Sequence, residues 1–244
     1  MNNALRKSTF TIGLLGLLLL AVAVPARAGT VNKSIRIDAG ETAGEASSVN
    51  GSVTVGADAV VNGEVSTVNG TIRIDDNARV EDVSTVNGAV RIGSGVSSQN
   101  VSTVNGSIRV SESTTIDGYV EAVNGSIGVD KGSTIDRGVS NVNGNIELTG
   151  SQIGGDLSTV NGDVVLDDGT ILRGDLIVEK PGGWNWGRKK RKPPKVIIGP
   201  GSRVLGTIRL EREVELYISD SAEVGGVEGE MSMGDAVRFS GSRP

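Results

Sequence analysis

The 244-residue chain contains no cysteine and no histidine, and only two each of Trp, Tyr and Phe. Without Cys there is no disulfide framework, no thiol nucleophile, no Cys metal site and no lipoprotein anchor. Without His there is no Ser-His-Asp triad, no His-based zinc site and no His base of the hexapeptide-repeat acyltransferase kind. No phosphate-binding loop or dinucleotide fingerprint stands between a strand and a helix. Helical periodicity is missing after the first thirty or so residues.

Long apolar runs are equally scarce. One exists, Ile12 to Val24, preceded by Arg6 and Lys7 and followed by Pro25-Ala26-Arg27-Ala28. A charged start, an apolar middle and an A-x-A-like end describe a signal peptide over 1–28, cleaved after Ala28. The run is short for an uncleaved anchor, which needs about 20 residues. Export to the periplasm or cell surface is therefore expected. Cleavage would remove three cations and no acid, taking the net charge from −5 to −8. Such an acidic body gives no reason to expect nucleic acid as a partner.

What the chain has is a repeat. Asn-Gly recurs at Asn50, Asn69, Asn87, Asn105, Asn124, Asn143 and Asn161, in steps of 18 or 19 residues, and Asn32 begins a degenerate first copy. Three and five residues after each Asn stand aliphatic residues, as in Ile108 and Val110 or Val164 and Leu166. Four residues before it stands another column: Val65, Val83, Val101, Val120, Val139 and Leu157, with Ala46 in the first full copy. A third lies about eight residues before: Val61, Val80, Ile116, Ile135 and Ile153. Alternation with period 2 in β-branched residues marks half-buried strands.

One repeat cannot bury its own apolar side, but stacked repeats can. The expected fold is all-β: a single-stranded parallel β-helix, or β-solenoid, of about ten turns of 18–19 residues. Right-handed winding is the default for parallel crossovers. The competing arrangement is a sandwich or barrel of hairpins, since Asn-Gly also makes type I′ turns. Hairpins do not require the same side chain at the same phase in successive units.

In a coil the eight Asn would stack about 4.8 Å apart, close enough for their amides to bond up and down the stack. Gly after each Asn would supply a positive φ at the corner. The Val before each Asn (Val49, Val68, Val86, Val104, Val123, Val142, Val160) could point either way. A bend at Ser-Thr would make them core, the favoured reading, and a straight strand would make them an outward contact stripe. Thr67, Thr85, Thr103 and Thr159 form a column of the kind found in ice-binding solenoids, spoiled by Ala122 and Asn141.

The pattern breaks where the next Asn-Gly is due, near 179–180. There the chain reads Glu179-Lys180-Pro181-Gly182-Gly183-Trp184-Asn185-Trp186-Gly187-Arg188-Lys189-Lys190-Arg191-Lys192-Pro193-Pro194-Lys195 before apolar alternation resumes at Val196. This is a loop thrown from one corner over 180–195. Trp184, Trp186, Arg188, Lys189, Lys190, Arg191, Lys192 and Lys195 form a candidate surface for an anionic envelope lipid or glycan. A solvated loop without a partner is the competing reading. The solenoid would run over 29–229, with 230–244 as a tail or cap over the last turn. Open solenoid ends would allow self-association.

Asp75-Asp76, Asp130 and Asp167-Asp168 are the carboxylates that could serve calcium or acid–base chemistry, as in β-helical polysaccharide enzymes. Each lies in a turn at a different phase. No catalytic residue, metal or cofactor is expected.

The units at 101–110 (VSTVNGSIRV) and 157–166 (LSTVNGDVVL) resemble the V-x-T-x-N-G-x-I-x-V repeats of bacterial adhesin-type β-solenoid domains, over roughly 31–178. Val204-Leu205-Gly206-Thr207-Ile208 through Ala222-Glu223-Val224-Gly225-Gly226-Val227 resembles the repeat of the polymer-forming bactofilins. The first resemblance implies a non-enzymatic structural or adhesion role, the second a self-polymerising scaffold. Neither implies catalytic residues.

Overall fold

A computed structural model describes residues 31–182 and 192–244. They form a parallel β-solenoid with three faces; most turns lay one strand on each, and one turn meets its neighbours on the third face only through bridges at Arg79. The first face carries the longest strands of the repeat, such as Val101–Asn105 and Tyr119–Asn124. The second carries strands of three to five residues, such as Ile108–Val110 and Ile146–Thr149, stacked eleven deep. The third carries two-residue strands, such as Thr115–Ile116. On the first face Asn50, Asn69, Asn87, Asn105, Asn124, Asn143 and Asn161 pair in succession without a slip.

The core is the stack of the predicted columns. Val65, Val101, Ile108, Ile116 and Leu157 are all fully buried, together with their equivalents in other turns. Each such side chain contributes roughly 1.5–3 kcal/mol by leaving water. Ser98 fills the third column where an aliphatic is missing, and its hydroxyl donates to Glu81 O at 2.8 Å.

Two expectations are corrected, one about the orientation of the Val column and one about glycine. On the first face Val101 and Thr103 point in while Val104 points out, and the alternation ends at the corner, where Asn105 is exposed as well. The seven Val before Asn are half-exposed, not core. No bend intervenes at Ser-Thr, because the strand runs straight to the corner. By the same alternation Thr67, Thr85, Thr103 and Thr159 are buried and form no outward array. Their function is internal: Thr67, Thr85 and Thr103 donate to the carbonyls of Gly51, Gly70 and Gly88, one turn earlier, at 2.8–3.2 Å.

The second correction concerns glycine. Of the Gly that follow the ladder Asn, only Gly144 and Gly162 have positive φ. Elsewhere the reason is close approach: a Cβ on Gly106 would collide with the carbonyl of Gly88 below it. The left-handed residue sits instead at the corner between second and third faces, at Asp58, Asn77, Gly95, Ser113 and Gly132.

At the C-terminal end the strand Glu223–Gly229 pairs on one side only, with Arg203–Leu210. Met231, Met233 and Ala236 pack against the core there. Val237–Phe239 then adds the last strand of the second face. Among the described residues no helix is long and apolar enough to cross a membrane. The proposed signal segment lies outside the described residues.

Candidate functional site

The corner that follows the first face is where the chain departs most from its repeat. Seven side-chain bonds of 2.7–3.2 Å run along it, each from the Nδ2 of one Asn to the Oδ1 of the Asn one turn earlier, from Asn161 back to Asn32. The ladder lies on the outside of the corner. Because every bond points the same way, Asn161 is left with an uncommitted Oδ1. Arg212, at the Asn phase two turns on, reaches back and donates to that oxygen and to Val160 O, both at 3.2 Å. Counting phase from Leu210 would have placed Arg212 there, since Leu210 pairs with Val178 and Val178 with Thr159.

Between these two turns the loop leaves. Leu176–Val178 is its last strand on the first face and Lys195–Ile198 its return on the second. The root is held from both sides. The Lys180 amide donates to Glu211 at 3.2 Å, Lys195 N donates to Asp163 at 2.8 Å, and Glu215 N donates to Pro194 O at 2.9 Å. Lys195 Nζ stands 3.7 Å from a Glu215 carboxylate, so this candidate contact residue has an internal partner. Lys192 is exposed. Trp184, Trp186, Arg188, Lys189, Lys190 and Arg191 lie outside the described residues. Burial, with the like charge of Glu211 added, raises the Glu179 carboxyl above its ordinary value.

The outer surface of the rod is as repetitive as its core. On the first face the half-buried Ser66 and Ser84 and the buried Ser102 stack in register, flanked by the half-exposed Val stripe. On the second face Arg73, Arg91 and Arg109 stack on consecutive turns. Like charges directly opposite each other are unfavourable in a sheet. Asp75 lies 2.6 Å from Arg73 and Asp130 lies 3.5 Å from Arg109, which relieves the ends of the row. The stack was not singled out from the sequence, although the three Arg share one phase.

The carboxylates weighed for catalysis are dispersed. Asp75 and Asp130 are engaged with those arginines, Asp76 accepts from Ser94 N at 2.8 Å, and Asp167 accepts from Asp168 N at 2.9 Å. Each closes a corner in its own turn.

A scan of family models, a search of curated proteins and a search of solved structures each returned no match to this chain. The class defined by its own geometry is that of parallel β-solenoids.

Proposed function

We propose that the protein is an exported, non-enzymatic structural element of adhesion type, a rod whose outer columns engage an extended partner. The observation that carries this reading is the half-exposed Val stripe of the first face, beside a Ser row that stacks in register and is only partly covered. A row of identical groups spaced about 4.8 Å apart suits a linear partner or a packed assembly better than a single small molecule. The Trp and basic residues of 180–195 supply the contact to an anionic envelope lipid or glycan. Seven cations lie within 180–195 of an otherwise acidic sequence.

The test is co-sedimentation of the full chain with vesicles of anionic or neutral phospholipid, with and without residues 181–194. Binding to anionic vesicles alone, weakened by salt and lost on deletion, is the expected result. Equal binding by the deleted chain overturns the role given to the loop.

A self-polymerising scaffold is the second reading. It is favoured by Glu223–Gly229, which offers one strand edge without a partner strand among the described residues. Concentration-dependent filaments in electron micrographs support it, and a strictly monomeric rod in light scattering removes it.

A further inference from the structure

The corner between third and first faces has two residues in some turns, Glu81-Asp82 and Gln99-Asn100, and three in others. In the longer form a glycine comes in the middle and a side chain follows it: Gly63-Glu64, Gly118-Tyr119, Gly155-Asp156, Gly174-Asp175 and Gly206-Thr207. One turn inverts the order, Arg137-Gly138. Gly138 stands in register above Tyr119, and Asp156 takes the same phase one turn further. The inversion therefore leaves no side chain between Tyr119 and Asp156, where a Cβ would strike the Asp156 carbonyl, and places Arg137 beside that close approach. In the same place the outward Ser column is interrupted, with Glu121 between Ser102 and Ser140.

The result is a notch of about 330 Å³, at the small end of ligand pockets. The Arg137 guanidinium lies 5.6 Å from the centroid of the Tyr119 ring. Ser140 Oγ approaches Glu121 Oε1 at 3.5 Å, and Asp175 N occupies Asp156 Oδ1 at 2.8 Å, which leaves each carboxylate an oxygen to offer. Burial holds the Glu121 carboxyl above its ordinary value, against a smaller opposing effect of the Ser140 hydroxyl.

We propose that this notch binds one ring of a neutral saccharide. The functional groups select the ligand class. Two carboxylates oppose an anion, and Arg137 beside them opposes a simple cation. Sugar hydroxyls satisfy both kinds of group at once: they donate to Glu121 and Asp156, accept from Arg137, and do either with Ser140 and Ser158. Tyr119 supplies aromatic ring surface for the C–H groups of the sugar. The site lies on a different corner from the basic loop and does not depend on it.

The experiment uses ring-labelled tyrosine in the full chain, which has only Tyr119 and Tyr217 to observe. Lactose, cellobiose and chitobiose are titrated separately and followed by NMR. The expected result is a saturable shift of the Tyr119 signal with at least one sugar, Tyr217 being unmoved. Glu121→Ser, which restores the residue of the neighbouring turns and so preserves the fold, should weaken that binding by about tenfold or more. Deleting 181–194 should leave it unchanged. No Tyr119 shift with any of the three sugars overturns the proposal. So does an equal shift in Glu121→Ser, or a shift produced by spermidine and by no sugar.

Discussion

Arg212 Nη1 sits 3.2 Å from Asn161 Oδ1 and closes the far end of a one-directional amide ladder. The contact spans the turn that carries the inserted loop, so the ladder ends on a charge-assisted bond instead of a bare carbonyl. Such bonds are stronger than neutral ones. Arg212→Ala leaves Asn161 Oδ1 and Val160 O without this donor, and a loss of about 1–2 kcal/mol in urea unfolding is expected. Amide exchange should quicken at 157–161 and remain unchanged near Asn69.

Asn141 sits where other turns have Thr, and its Nδ2 donates to both Gly125 O and Gly144 O. Gly144 O is the acceptor that the column pattern assigns to Thr159. As a result Asn141 Oδ1 and Thr159 Oγ1 are both buried without a partner. Asn141→Thr returns Gly144 O to Thr159 and removes the orphaned amide oxygen. Stability should rise by about 1 kcal/mol, read from the urea midpoint at constant m.

Ser113 holds φ 58 at a corner where Gly95 and Gly132 stand in the adjacent turns. A left-handed conformation costs a non-glycine residue roughly 1–2 kcal/mol. Part of that gain is offset by glycine's freedom in the unfolded chain. Ser113→Gly should raise the thermal midpoint by a few degrees; a lowered midpoint would show that the Ser side chain contributes more than the strain it imposes.

Val101 and Val104 share a strand and differ only in phase. Val101 is fully buried, and Val101→Ala should cost about 2 kcal/mol. Val104 is half-exposed, and Val104→Thr should stay within about 0.5 kcal/mol. Equal losses at the two sites would contradict the outward stripe.

Glu179 gives a pH signature. Burial first, and then the like charge of Glu211, raise its folded-state pKa above 4.5. The folded chain therefore binds more protons than the unfolded chain between the two pKa values, and this group's contribution to stability declines as pH rises through that window. Glu179→Gln should be more stable than the native chain at neutral pH, with the difference vanishing below 4.5, as measured by urea unfolding across pH.

The stacking of repeats, the three aliphatic columns and the corner that carries the loop follow from the amino-acid sequence alone. A period of 18 or 19 with unchanged phase admits one economical way to bury these residues. Orientation was another matter. Whether Val104 faces in or out depends on whether the strand bends before Asn105, and no local residue preference decides that. Glycine after Asn was legible, but its reason was not: the carbonyl that a Cβ on Gly106 would strike belongs to Gly88, one turn away. The same holds for Arg212 on Asn161 and for the notch between Tyr119 and Asp156. Periodicity determined which residues become neighbours along the axis. Only the tertiary structure decided which of them meet around a corner, because those contacts depend on backbone direction and on side chains that the repeat omits.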